Sequence, residues 1–532
     1  MKHFGKRVLG MLLVLAMLTT VLSGCVAPQG DNYDENGNYV ADKTISDKTI
    51  EYTLYAHNWN AYAGQPNDRV LKYLEDKFNV KLRITGAAEA VYNEKFNALI
   101  QSDSTPDMFW ALLGTESYYR YIEDDIMLPM DEYLSDEETP YLKAFFETDD
   151  YKNIDINGHY YFLPLLTEQS GHCLFVRRDW MNNLGIDDPK TIDEFTAMIK
   201  AFTENDPDGN NQNDTYGWAC GKTVEWLRDF QGSFGIESEW TKDENGEWGM
   251  DVLTDEYQDF LNWLMELVNN GYITKNMYNV DDGTALQDFY AGKAGVVLGT
   301  AGGNADTVEW TVKQINPNAE VDVIQIPAGV SEGGFTRFGG FWGGWNISAD
   351  TEEPYRLIKI LDYLLSPEGQ ELRYYGVEGI HYTKDGDVYK PNLNERNADG
   401  LTRWTQNDAK QPVGGYLIGG YFGTMPFTIE DNKIVRHHDY STYSNPTLVQ
   451  KSIDLQAEKG VKKNPWNIMD FSFDLLSFRI KAQEKCDTIL SRTLAGQNTV
   501  AQAHDIYERE LNALGYADYK EEYNQVMEGL GL

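Results

Sequence analysis

An α/β chain of two or three domains with a helix-rich C-terminal part is what this sequence predicts. Residues 49–85 alternate as strand, loop, helix and strand. The length of 532 residues exceeds what one hydrophobic core organises. The last third closes in helical patterns, among them NTVAQAHDIYERELNALG, where Gly515 is a natural stop.

The first 24 residues stand outside that fold. Lys2, Lys6 and Arg7 precede an apolar run from Val8 to Leu22. The run is shorter than the roughly 20 residues of a spanning helix, and small residues follow it, as in a signal peptide. Its end, Leu22-Ser23-Gly24-Cys25, resembles a bacterial lipobox. That resemblance implies removal of residues 1–24 and acylation of Cys25, and so an extracellular protein held to the cell membrane by lipid. The alternative is a plain signal peptide with a chance cysteine. Residues 25–48 then read as the lipidated cysteine and a polar, flexible tether.

The α/β pattern begins with TIEYTLYA, which alternates as a strand, and the loop HNWNAYAGQ. Residues 66–78 place Val70, Leu71, Leu74 and Phe78 on one helical face, and NVKLRIT is a second strand. Such a βαβ unit puts its first loop at a carboxyl sheet edge, where open α/β sheets bind ligands. Asn58, Trp59 and Tyr62 are therefore binding candidates, with sheet capping as the alternative for Trp59. STPDMFWALL is a short buried strand leading to Trp110. NGHYYFLPLLTEQSGHCLFVRRDWMNNLGI combines a turn, a strand broken at Pro164, and a strand entering a helix. In PKTIDEFTAMIKAFTEND, Thr191 and Glu194 have capping-box spacing, and Phe195, Met198, Ile199 and Phe202 form a core stripe. ALQDFYAGKAGVVL runs from helix to strand and reaches GTAGGN, while Ser366 and Pro367 start another helix.

Charge and cysteines exclude several classes. Loss of residues 1–24 leaves 42 positive against 84 negative groups, or −42, so nucleic acid is a poor partner. Cys173, Cys220 and Cys486 form no metal pattern; a Cys173–Cys220 pair or buried free thiols both fit. There is no GxSxG elbow, HExxH or phosphate loop. With 84 carboxylates, close acidic pairs carry no catalytic information, so no catalytic residue is assigned and the chain is not read as an enzyme.

The sharpest local pattern is NDPDGNNQNDTYGW. Asp206, Asp208, Asn210, Gln212 and Asp214 recur at alternate positions, as oxygen ligands do in positions 1, 3, 5, 7 and 9 of an EF-hand loop. Position 6 is Asn211 rather than glycine, and position 12 is Gly217 rather than a bidentate Glu. The exit YGWACG is strand-like. A structural Ca2+ clip is expected, with a solvated polar turn as the alternative.

Aromatic, glycine-bounded loops carry the binding signal: HNWNAY, MFW, TVEWLRDF, GTAGGN, FGGFWGGW and GVEGIHYT. Sugars present C–H faces to rings and hydroxyl rims to polar groups. One aromatic alone is more often core than platform; six such loops point to a cleft. Trp59, Trp110, Trp226 and Trp342 are candidates for stacking, with Trp345 beside them in FGGFWGGW. Arg177, Asn304 and Glu378 are candidates for polar contacts, and Arg177 could instead pair with Asp179.

Taken in order, LSGC, PDMFW, NGHYYFLPLL, LFVRRDWMNNLGI, PKTIDEFTAMIKAF with DPDGNNQNDTYGW, FYAGKAGVV and SPEGQELRYYGVEGIHY resemble the family 1 extracellular solute-binding lipoproteins of carbohydrate ABC importers, in the long Gram-positive form. The resemblance covers most of residues 48–530. It implies a two-lobed periplasmic-binding-protein-like fold of type II that closes on an oligosaccharide and delivers it, as a monomer, to ABC importer permease subunits. Implied boundaries are 49–165 for the first part of lobe 1, 166–340 for lobe 2, 341–380 for a return to lobe 1, and 381–532 for a C-terminal segment mostly on lobe 2. The crossings fall near Tyr161–Thr167 and Phe338–Ser348, where glycines permit close backbone packing. Related alginate-binding proteins hold calcium in a loop resembling 206–214, with an acidic residue where Thr215 stands here. Competing readings are a binding lipoprotein for peptides or another non-sugar solute, and a surface glycoside hydrolase or lyase.

Overall fold

The expected strand, helix and strand of the start are present in the computed structural model of the chain. The structure describes residues 39–529 except 58–68, 88, 113–115, 150, 153, 157, 165–171, 222–226, 228, 237–238, 244, 281, 302, 331–342, 387, 393, 396–426, 437–444 and 460–471. Strand β1 (Ile50–His57), helix α1 (Arg69–Phe78) and strand β2 (Val80–Ala87) form a parallel βαβ unit. Val70 and Leu74 bury one face of α1 against it. Helix α2 (Glu89–Gln101) leads to β3 (Met108–Leu112), which pairs parallel with β1. Helices α3 (Glu116–Glu123) and α4 (Pro140–Phe146) follow, then the two-residue strand β4 (Leu163–Pro164).

The chain next builds a second sheet. Its members are β5 (His172–Arg177), β6 (Tyr216–Ala219), β9 (Ala294–Thr300) and β10 (Val321–Ile324), in the order β10-β5-β9-β6. Helices α5 (Arg178–Leu184) and α6 (Ile192–Glu204) lie between β5 and β6. The Thr191–Glu194 capping box is formed, and Phe195, Met198, Ile199 and Phe202 are all buried. A small hairpin, β7 (Trp240–Lys242) with β8 (Trp248–Met250), precedes α7 (Asp255–Asn270), α8 (Asp282–Tyr290) and, after β9, α9 (Gly303–Ile315).

Strand β11 (Gly343–Ile347) then returns to the first sheet, inserting between β3 and β4 to give β2-β1-β3-β11-β4. A Cβ on Gly344 would sit 2.4 Å from the Leu163 carbonyl oxygen and 2.8 Å from Phe162 Cδ2. Only glycine lets β11 and β4 approach so closely at this return. Helices α10 (Pro354–Leu365) and α11 (Pro367–Tyr375) cover the sheet, and the Ser366 hydroxyl accepts the Gly369 N–H as cap.

Two expectations about chain segments need correction. Residues 39–48 are not a free tether but a strap docked on α10. Tyr39 is buried, its hydroxyl lies 2.9 Å from that of Tyr133, and Asn79 Nδ2 donates to the carbonyls of Asp47 and Lys48. The Ser46 N–H reaches both Glu353 carboxylate oxygens at 3.2 Å, and Arg356 donates to the Ser46 carbonyl. These partners stand some 300 residues away, beyond any local reading.

The C-terminal segment also divides. Hairpin β12 (Tyr382–Asp385) with β13 (Val388–Pro391) follows α11, and hairpin β14 (Phe427–Glu430) with β15 (Lys433–Arg436) docks on α4 and α11. There the Phe427 N–H donates to Gln370, and Asn432 caps the end of α4 through the Glu147 carbonyl. Helices α12 (Pro446–Lys459), α13 (Phe473–Leu494), α14 (Val500–Ala513) and α15 (Tyr516–Gly529) complete the chain. Lys451 of α12 pairs with Asp322 of β10 at 2.7 Å, and Tyr523 of α15 stacks on Trp240 at 4.1 Å. The helices, but not the β14–β15 hairpin, therefore belong with the second sheet. Cys173, Cys220 and Cys486 are buried free thiols, so no Cys173–Cys220 disulfide forms. Among the described residues no helix is long and apolar enough to cross a membrane.

Candidate functional site at the sheet edges

Strand directions define where a solute can sit. In the first sheet β11 runs antiparallel to β3 and β4, so the carboxyl ends of β1, β2, β3 and β4 share an edge with the start of β11. In the second sheet the carboxyl ends of β6, β9 and β10 share an edge with the start of β5. Both links between the sheets join these two edges: Pro164 to His172, and Ile324 to Gly343. Eight residue steps from Pro164 to His172 reach at most roughly 28 Å, so the two edges stay within that distance. Carboxyl strand ends are where open α/β sheets take ligands.

Several candidate residues stand next in sequence to strand ends at these edges. Asn58 and Trp59 directly follow β1, Trp226 follows β6, and Trp342 precedes β11; all four, like Cys25, lie outside the described residues. Asn304 is in the first turn of α9, just after β9. Glu378 is exposed beyond α11, its backbone bridged to Tyr382.

Three candidates are placed otherwise. Trp110 and Trp345 are register partners on β3 and β11, with rings edge-on at 5.8 Å. They are 0% and 1% exposed, so both are core rings here, with no face open to a solute. Arg177 ends β5 opposite Val321, about 17 Å along the strand from the His172 edge. It is 1% exposed; its Nε and Nη2 grip Asp179 at 2.9 and 2.5 Å, and its guanidinium lies 4.8 Å from the Trp180 ring centroid. This fork pins the β5–α5 corner, the Asp179 alternative rather than a solute contact.

A small hollow of about 10 Å³ lies among Trp218, Cys220, Leu227, Ala285 and Val297 at the second edge. Its apolar lining suits packing rather than solute. An open cleft of about 530 Å³ lies beside Glu378, walled by Tyr382, Thr383, Lys390, Asn392 and Asn394. Reasoning from aromatic loops missed these asparagines; the only signal was their alternation in KPNLNE.

The loop 206–214 joins α6 to β6, so its exit is a strand, as the sequence predicts. The N–H groups of Asn210 and Asn211 donate to Asp206, and Asn210 Nδ2 contacts Asp208 at 3.0 Å and both Asp214 oxygens at 3.3 Å. Asn211 has φ +59°, a conformation asparagine tolerates next best after glycine, which accounts for its presence at position 6. A Cβ on Gly217 would lie 2.4 Å from that of Ile199, so no glutamate fits at position 12. Burial raises the Asp208 carboxyl above the usual range; the Asn210 N–H opposes the shift, while Asp206 and Asp214 add to it. Among the described residues no group of three His, Cys, Asp or Glu side chains is placed so that it could hold a metal ion.

Comparison with known proteins agrees with this architecture. The family profile of bacterial extracellular solute-binding proteins matches residues 34–371. The chain is 28% identical over 400 residues, 72% of its length and 75% of the other, to the polygalacturonan/rhamnogalacturonan-binding protein YtcQ of Bacillus subtilis strain 168. It is 30% identical over 342 residues, 60% of its length and 66% of the other, to lipoprotein LipO of the same strain. Among solved structures, the alginate-binding protein AlgQ2 without calcium ion superposes with a TM-score of 0.67 at 19% identity, covering 90% of this chain and 98% of that one. The S. pneumoniae ABC-transporter substrate-binding protein FusA in complex with kestose gives 0.65 at 18% identity, with 90% and 99% covered. These neighbours share the two-lobed type II binding-protein fold. The chain belongs to the bacterial extracellular solute-binding protein family.

Proposed function

We propose that this protein is lipid-anchored through Cys25 at the extracellular face of the membrane, captures an oligosaccharide between its two sheet units, and delivers it to an ABC importer permease. The observation that carries the reading is the topology: both inter-sheet links join carboxyl-type edges, and in sequence Asn58 and Trp59 directly follow β1, Asn304 follows β9 and Trp342 directly precedes β11. YtcQ and FusA, similar to this chain, carry sugar-binding names, which supports a sugar over a peptide. Capture needs no catalytic group, in keeping with a family of binding proteins.

The loop 206–214 is proposed to take Ca2+. Three carboxylates and two amides at alternating positions supply hard oxygen donors, and a cation would offset the mutual repulsion of Asp206, Asp208 and Asp214. Binding requires Asn210 to turn its amide oxygen, not its nitrogen, toward Asp208 and Asp214. FusA has also been solved as an EF-hand mutant.

A thermal-shift screen of residues 26–532 against plant, host and bacterial oligosaccharides and against peptides tests the reading. A ligand that binds only the native state raises the melting point by mass action. A shift with one glycan class, recovered intact, is the expected result. A shift with peptides alone would favour a non-sugar solute, and a shortened glycan would reveal an enzyme.

A further inference from the structure

The cleft of about 530 Å³ at hairpin β12–β13 falls within the roughly 300–1,000 Å³ range of small-molecule sites, and no role has been given to it. Its rim is built from exposed side chains on a fixed frame. Behind it, His381 is fully buried, its carbonyl accepts the Asn392 N–H at 2.8 Å, and its Nδ1 accepts the Val377 N–H at 2.7 Å. The Gly379 N–H donates to the Tyr382 carbonyl at 2.8 Å, and Tyr375 stacks on Tyr389 at 3.9 Å. The walls are thus held by packing and backbone hydrogen bonds while their polar tips face water.

The lining chemistry is specific. Asn392, Asn394 and Thr383 offer both donors and acceptors, and Ile380 and Pro391 give an apolar floor. The one cation in the lining, Lys390, is paired with Asp385 at 2.5 Å, so recognition here rests on hydroxyl-type hydrogen bonds rather than charge. The cleft also adjoins the first sheet edge. Arg69, which begins α1 directly after the β1 loop, binds the Glu395 carboxylate at 2.6 Å and the Glu395 carbonyl at 3.2 Å, one residue beyond Asn394.

We infer that this cleft is an outer subsite that takes one sugar unit, through its hydroxyls, of an oligosaccharide whose inner units lie at the sheet edges. The inference rests on the oligosaccharide reading and adds to it a preference for length. The test is calorimetric titration of the wild type and of an Asn392→Ala/Asn394→Ala variant with two probe series. These are oligogalacturonides of two to six units, and the fructooligosaccharides kestose and nystose with sucrose as the short member. Both asparagines are exposed, so the variant keeps the wild-type melting temperature. The expected result is a loss of about tenfold in affinity for the longer members of the series that binds, under twofold for its shortest member, and no change in that difference between low and high salt. Equal loss at every length, no loss, or a salt-dependent difference would overturn the subsite. Failure of the wild type to bind any sugar would overturn the oligosaccharide reading beneath it.

Discussion

At the scale of single residues, burial separates side chains that hold the fold from side chains able to meet a solute. Trp345 lies between Trp110 and Leu163 in the register of the first sheet. Trp345→Ala is expected to cost about 3–5 kcal/mol of stability, as large-to-small changes in a core do. Trp342→Ala, one residue before β11, is expected to weaken solute binding more than folding. Parallel melting and titration of the two variants check this; an unchanged affinity and a large drop in melting temperature for Trp342→Ala would return that ring to the core. Glu353 supplies a pH dependence. Burial pushes its carboxyl up, but hydrogen bonds from Ser46 and the Arg356 guanidinium outweigh that, leaving it below the usual glutamate range. A carboxyl whose folded value is depressed stabilises fully above its unfolded value, about 4.3, and that stability is lost as pH falls through the folded value. Glu353→Gln should therefore destabilise at pH 7 and lose its penalty in strong acid, as denaturant melts across pH 2–7 would show. Trp110 and Arg177 show what the sequence hides: strand residues next to polar neighbours look alike whether the ring or guanidinium points to solvent or into a sheet. Three-dimensional partners such as Trp345 and Trp180 decide it.

At the scale of elements, local rules succeeded where the physics is local. The Thr191–Glu194 capping box, the Ser366 cap and the buried α6 stripe were legible because each depends on residues within a turn or two. The βαβ start was legible from its change of period. The strap 39–48 was not, because its polar composition conceals a ring that Tyr133 covers and backbone groups that Glu353, Arg356 and Asn79 satisfy. Tyr39→Ala should lower the melting temperature and speed amide exchange across 39–48 without altering solute affinity. Equal exchange in wild type and variant would contradict a docked strap. For the loop 206–214, Ca2+ should raise the melting temperature and EDTA should remove the gain. Asp208→Asn should abolish the response; a variant that still responds to Ca2+ would place the ion elsewhere.

At the scale of the molecule, two sheets are joined by two links that leave and enter at their carboxyl-type edges, and helix α13 ties the units further. Arg479 of α13 pairs with Glu239 at 2.9 Å on the second unit, while α13 also packs on α3 of the first. Beside it Tyr119 of α3 is buried, which pushes its phenol up to about 12 against the opposing pull of Arg479. If the units close on solute by a hinge motion, this contact must slide or re-form. Small-angle scattering should then show a smaller radius of gyration with sugar than without; identical curves at saturation would mean capture without closure. The two-sheet organisation was legible only through resemblance, since no local pattern states which strand returns to which sheet. Gly344 of FGGFWGGWNIS acquires its reason once β4 lies against it. The most direct test is a crystal structure of residues 26–532 with the sugar that the screen identifies. The account predicts one intact oligosaccharide touching segments from both edges, including those after β1 and β6 and the one before β11. A sugar bound against a single sheet, or away from the carboxyl strand ends, would contradict it.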